Sequence, residues 1–202
     1  MTKTPAQQLL DEVVRSGLAP MLKAEGFRKA GHTFRSTVPG CVLVVNVQSS
    51  TTSTRDALRF TINLGVFYPA LIDILQLGSW AVPAAAGPTE VHCQVRERIG
   101  ALMPAQGGDH WWDLEVGASW NEVSAELTEA VRAHGLPWLR VMADPEAART
   151  RAEGRGERLV AAALALLAGR RDEARRIVAA ASETGSDHGE LRLWARQAGL
   201  IP

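Results

Sequence analysis

Cysteine is scarce in this chain: Cys41 and Cys93 are the whole supply. They stand far apart with no CxxC spacing, which excludes a disulfide framework and predicts two free, buried thiols. Long apolar runs are missing as well. The opening Met1-Thr2-Lys3-Thr4-Pro5 has no hydrophobic stretch behind its positive charge, so it does not read as a secretory signal. The longest apolar stretch, Leu159 to Ala168, is about half of the roughly 20 residues that cross a bilayer. An excess of one charge is also absent, because 22 Lys and Arg balance 22 Asp and Glu. A general nucleic-acid binder needs a basic surplus against the phosphates, and a DNA mimic needs an acidic one. Together these absences predict a cytoplasmic protein with neither a membrane nor a nucleic-acid partner.

What is present suffices for a core. Of 202 residues, 46% are hydrophobic, enough for one domain of ordinary size, or one with a small appendage. Thr4 can cap a first helix, Pro5 suits its first position, and Gln7 completes a capping box. Leu10, Val13, Val14, Leu18, Met21 and Leu22 then form one helical stripe. Gly17 and Pro20 predict a kink or break near Ser16, and Gly26 a C-terminal stop.

The period then changes to two. Strands are predicted at about 32–38, 41–49, 57–67 and 91–98. Cys41, Leu43, Val45 and Val47 oppose Asn46 and Gln48. Leu58, Phe60, Ile62, Leu64 and Val66 oppose Arg59, Thr61 and Asn63. Val91, Cys93 and Val95 oppose His92, Gln94, Arg96 and Arg98. This alternation specifies an antiparallel sheet of about four strands, apolar on one face and covered there by the first helix. The fold class is therefore α+β. Leu71, Ile72, Ile74, Leu75 and Leu77 suggest a short helix ending at Gly78, and residues 83–88 a small-residue loop. Gly107-Gly108 opens a turn into Asp109-His110-Trp111-Trp112, and a helix from about Trp120 to His134 is closed by Gly135. From Pro145 the chain is rich in Ala, Arg and Leu and reads as three short helices broken at Gly169-Arg170 and Gly185-Ser186. Leu159, Ala163, Leu166 and Leu167 would face Ala174, Ile177, Val178 and Ala181. A single such unit does not make a repeat array, so a helical cap on the α+β body is expected.

Chemistry is harder to find. His32, His92, His110, His134 and His188 include no i, i+4 pair on a helix, and His110 with Asp113 would supply only two ligands, so no metal is expected. There is no P-loop, no GxGxxG between strand and helix and no GxSxG, so no cofactor or catalytic residue is expected. The strand cysteines would have raised pKa values and be poor nucleophiles. Asp109, Asp113 and Glu115 form the densest acidic cluster and read as a solvated turn.

The polar sheet face is the best candidate site. It gathers Asn46, Gln48, Arg59, Thr61, Asn63, His92, Gln94, Arg96 and Arg98, groups suited to directional hydrogen bonds and bidentate anion contacts. Either the C-terminal helices cover it, or it is a cleft for a partner or ligand. Beside it, Trp111-Trp112 offer either one exposed ring for binding or two core rings.

Several motifs follow one another in order along the chain. They are Leu22-Lys23-Ala24-Glu25-Gly26-Phe27-Arg28-Lys29 before Gly31-His32-Thr33-Phe34, then Val45-Asn46-Val47-Gln48 and Phe60-Thr61-Ile62-Asn63-Leu64-Gly65. His92-Cys93-Gln94-Val95-Arg96-Glu97-Arg98-Ile99-Gly100 and Asp109-His110-Trp111-Trp112 complete the set. Over about residues 5–142 the chain resembles the bacterial DUF4304 family, a domain of unknown function. The resemblance implies a domain over residues 1–143 with a helical extension at 144–202, and it carries over no catalytic residue. The leading expectation is a non-catalytic, immunity- or adaptor-like domain whose partner is another bacterial protein. The alternative is an enzyme or small-molecule binder on the same face, with Arg96 and Arg98 clamping an anion and His92 as acid or base.

Overall fold

A computed structural model of the chain describes residues 3–75, 87–104, 108–183 and 189–202. Helix α1 (Pro5–Val13) begins at Thr4, whose hydroxyl accepts from the Gln7 amide while the Gln7 side chain accepts from the Thr4 amide. The expected break is a π-helical turn, Val14–Leu18, leading into α2 (Ala19–Ala24). Its cause is Pro20, which has no N–H for the preceding turn and whose ring crowds it, so the backbone widens there. Gly26 ends α2 at φ +82°, with the Phe27 amide bonded back to the Leu22 carbonyl, the left-handed helix stop that glycine permits.

Six strands follow among the described residues: β1 (Arg28–Ala30), β2 (Thr33–Val38), β3 (Cys41–Ser49), β4 (Ala57–Phe67), β5 (Val95–Arg98) and β6 (Trp112–Glu115). They make one antiparallel sheet in the order β1-β2-β3-β4-β5, with β6 also on β4. Two of these strands exceed the expected four. β1 is short and wholly exposed, so it carries no apolar alternation. The fourth expected strand is cut back to β5, because Glu90–His92 forms a 3-10 turn whose Thr89 cap is bonded to His92. As a result Val91 is 62% exposed rather than part of an apolar face.

β5 and β6 are two halves of one interrupted edge strand. β5 ends with Arg98 opposite Asn63, and β6 begins with Trp112 opposite Phe60. Both run along the β4 edge away from β3, and the described residues between them, 99–104 and 108–111, lie off the sheet at the gap beside Thr61 and Ile62. This excursion opens with a short helix, α4 (Ile99–Leu102).

The helices cover the apolar face. α3 (Ala70–Leu75) matches the expected short helix, whose proposed end at Leu77 and Gly78 lies outside the described residues. α5 (Asn121–Ala130) runs through a second π turn, Val131–Gly135, into α6 (Leu136–Met142). Gly135 therefore does not close the helix. It keeps helical geometry and packs where a Cβ would come within 3.3 Å of Ile99 and 3.5 Å of Leu64, while Pro137 widens the turn before it, as Pro20 does in the first case.

The C-terminal part has four described helices instead of three: α7 (Pro145–Gly154), α8 (Arg158–Leu167), α9 (Arg171–Glu183) and α10 (Gly189–Gln197). The extra break comes at Gly156, at φ +75°, with the Glu157 amide bonded to the Ala152 carbonyl. α9 buries Ala174, Ile177, Val178 and Ala181 as expected. In α8, however, the buried run is Val160–Ala165, while Leu159, Leu166 and Leu167 are only half-buried. α7, α9 and α3 enclose α8 on several sides, and consecutive alanines let it be buried all round. These helices share one continuous core with the sheet. Trp194, fully buried, donates from its indole to the Ile74 carbonyl at 2.8 Å.

An ion pair also ties the tail to β5. Arg151 of α7 reaches Glu97 at 2.7 Å and the Arg96 carbonyl at 2.8 Å, and it stacks on Trp138. The side chains of Arg151 and Glu97 are each 13% exposed, so removing one partner strands a largely buried charge. Arg151→Ala should therefore cost about 2–3 kcal/mol in urea unfolding. Arg59→Ala, which breaks an exposed pair with Asp113, should cost less than about 1 kcal/mol. Equal losses would contradict the assignment.

Candidate functional site

Register decides what shares the second sheet face. Gln48 lies opposite Thr61, Asn46 opposite Asn63, Val44 opposite Gly65 and Val42 opposite Phe67. β5 sets Arg98 beside Asn63 and Arg96 beside Gly65, and β6 sets Asp113 beside Arg59. The face is thus apolar at one end and polar at the other.

The chain from Gly87 to Gln94 covers the apolar end. Arg35 Nε donates to the Pro88 carbonyl at 2.6 Å, and Cys93 packs with Val44 and Phe67 in a small separate core. Cys93 rests on bare Gly65, where a Cβ would meet its Sγ at 2.6 Å. The 3-10 turn has thus moved Cys93 to the face opposite Val95. Burial raises both thiol pKa values, that of Cys41 to about 11, and both thiols are free. Gln94 is buried too, its Oε1 accepting from the Tyr68 amide at 2.8 Å.

The polar end carries the candidate residues in ordered pairs. Asn63 Nδ2 donates to Gln48 Oε1 at 2.6 Å, and Asn46 Nδ2 to Thr33 Oγ1 at 3.0 Å. Arg59 pairs with Asp113 at 2.7 Å, Arg96 with Glu90 at 3.4 Å and Arg98 with Asp109 at 2.5 Å. The Arg98 guanidinium also lies 5.3 Å from the Trp111 ring centre, and the Trp111 indole N–H points to Asp109 Oδ2 at 3.4 Å. Between these groups is an open hollow of about 290 Å³ lined by Gln48, Asn63, Glu90, Arg96, Glu97 and Arg98. None of the described residues of α7–α10 lines it.

Two expected site residues lie elsewhere. His92 belongs to the 3-10 turn, where its Nδ1 accepts from the Thr89 amide at 3.1 Å and lies 2.7 Å from the Thr89 hydroxyl, so that nitrogen is engaged in the cap. Trp112 faces the core: it is 3% exposed, stacks on Phe60 at 5.6 Å and meets the His110 ring edge-on at 4.4 Å. Of the adjacent tryptophans, only Trp111 reaches the polar face. The acidic turn supplies the partners of Arg98 and Arg59 in Asp109 and Asp113, and Glu90 supplies that of Arg96, whereas Glu97 pairs with Arg151 and Arg155. Strand register sets the Arg59–Asp113 pair, whereas Asp109 and Glu90 reach their arginines from the loop before β6 and from the 3-10 turn. Among the described residues no group of three or more His, Cys, Asp and Glu side chains could hold a metal ion, and no helix is long and apolar enough to cross a membrane.

The described residues of this excursion position Asp109 and Trp111. Thr61, fully buried at the gap, donates its hydroxyl to the His110 carbonyl at 2.8 Å. Gly100 lets the returning chain pass so closely that a Cβ there would lie 2.2 Å from the Gly108 oxygen and 2.4 Å from the His110 nitrogen. Backbone cannot yield as a side-chain tip can. Gly100→Ala should cost about 3 kcal/mol in urea unfolding. Gly108→Ala, with nothing within 4 Å of its Cβ, should stay within about 0.5 kcal/mol. A neutral Gly100→Ala would show that the close approach is absent.

No curated protein and no solved structure matches the chain. The profile of one family matches residues 18–141, a span that contains every candidate residue and more than half of the chain. The chain belongs to the DUF4304 family, a domain of unknown function.

Proposed function

We propose that this domain is a non-catalytic protein-binding module, immunity- or adaptor-like, whose docking face is the polar end of the sheet. The observation that carries the reading is the cluster of Arg98, Asp109 and Trp111 on the rim of the hollow. Arg and Trp dominate binding energy at protein interfaces, because a large planar group supplies contact area at small entropic cost. Here the guanidinium is held against the indole and oriented by a carboxylate before any partner arrives, which lowers the ordering cost of binding.

Charge points the same way. Arg59, Arg96 and Arg98 each have a carboxylate partner, so the patch offers both signs in alternation and no surplus of either. That suits the mixed surface of another protein. A clamp of Arg96 and Arg98 on a small anion would have to displace Glu90 and Asp109, which weighs against the small-molecule reading. Gln48 and Asn63 add amide donors and acceptors at the centre. The partner we propose is another protein of a bacterial cytoplasm, a compartment that suits two free, buried thiols.

The test compares tagged wild type, Trp111→Ala and Val141→Ala, which alters an exposed side chain on α6, in affinity capture from the native lysate. One stoichiometric protein should be retained by wild type and Val141→Ala and lost with Trp111→Ala at unchanged Tm. Retention by all three variants, or by none, would refute the reading.

A further inference from the structure

We infer that the groove between α2 and β1 receives an extended acidic peptide segment, which adds as a strand to the free edge of β1. This second binding surface is independent of the Trp111 patch.

β1 ends the sheet, all three of its residues are exposed, and among the described residues nothing pairs with its outer side. An edge strand leaves N–H and C=O groups of alternate residues unpaired on its free side, a template for a further strand. α2 runs beside β1, and between them lies an open hollow of about 630 Å³ whose apolar lining is Ala19, Pro20, Phe27 and Phe34. A helix flanking an unpaired edge with an apolar recess between them is the geometry of strand addition: main-chain bonds give affinity and a recessed side chain gives selectivity. The Val14–Leu18 π turn contributes by setting Ala19 and Pro20 into this lining.

Charge identifies the occupant. Lys23, Arg28 and Lys29 rim the hollow, and none of them is ion-paired among the described residues. The nearby acids leave these three cations free: Glu25 pairs with Arg140 at 2.6 Å, and Glu12 pairs at 2.5 Å with Arg15, which also lines the hollow. Lys3, Lys23 and Lys29 are the only lysines of the sequence, and all three line this groove or the hollow adjoining it. In a chain of zero net charge this leaves Lys23, Arg28 and Lys29 as a group of unneutralised cations along one edge, Lys3 being paired with Asp11 at 2.5 Å. It selects an acidic strand and repels a basic one, including β1 of a second copy.

The probe is a short fluorescent peptide alternating Glu and Val, titrated into the full chain by anisotropy. Controls are its Lys/Val counterpart, an N-methylated Glu/Val peptide that keeps the charge but cannot pair along its backbone, and vesicles containing phosphatidylglycerol. The Glu/Val peptide should bind, the Lys/Val peptide should not, and N-methylation should weaken binding by about tenfold or more. Lys23→Glu combined with Arg28→Glu should weaken it similarly at unchanged Tm, while Trp111→Ala leaves it unchanged. Amide NMR shifts should cluster at Arg28–Ala30 and along α2. No binding, equal binding of the N-methylated peptide, indifference to the charge reversals, or binding to vesicles alone would each overturn the proposal.

Discussion

The ladder on the outer edge of β4 is left open beside Thr61 and Ile62, and the candidate site depends on how that gap is filled. β5 and β6 occupy the same edge on either side of it, so the chain must leave the sheet after Arg98 and return at Trp112. Two contacts hold the return. Thr61 gives its hydroxyl to the His110 carbonyl, and Gly100 lets the backbone at Gly108 and His110 pass at a distance that no side chain would allow. The return sets Asp109 and Trp111 over the polar face, beside Arg98. Without the interruption that face would be an ordinary solvated strand surface.

Two kinds of ion pair do different work here. On the polar face the arginines and carboxylates are exposed enough for water to screen them, so they contribute little stability. What they contribute is order, because each guanidinium is already aimed. At the other side of β5, Glu97 is largely buried between Arg151 and Arg155, and there desolvation makes an unpaired charge costly. The same short strand thus presents Arg96 and Arg98 outward for recognition and uses Glu97 to anchor the C-terminal helices. Those helices lie against the apolar face and leave the polar hollow open.

The sequence was readable where burial imposes a period over many residues. β3 and β4 alternate for their whole lengths, and the first helix shows its cap, its stripe and its glycine stop. Short elements escaped: β1 is too brief and too exposed to show a pattern. Val91, Cys93 and Val95 mimicked a strand because the 3-10 turn preserves the apparent alternation while rotating Cys93 to the other face. Gly135 looked like a helix terminator but fits a close approach to Leu64 and Ile99, a tertiary constraint with no local signature. At the site, the polar face was legible from alternation. The strand parity that sends Trp112 inward and Trp111 outward, and the register that pairs Arg59 with Asp113, were not.

Site-specific photo-crosslinking in the native host tests the central claim most directly. A photoreactive residue at Gln48, exposed and lining the hollow, leaves the Arg98, Asp109 and Trp111 cluster intact. The same residue at Val141, exposed on α6, serves as the control. Docking on the polar face predicts one discrete protein adduct from Gln48 and none from Val141. The same adducts from both positions, or none from Gln48, would contradict it.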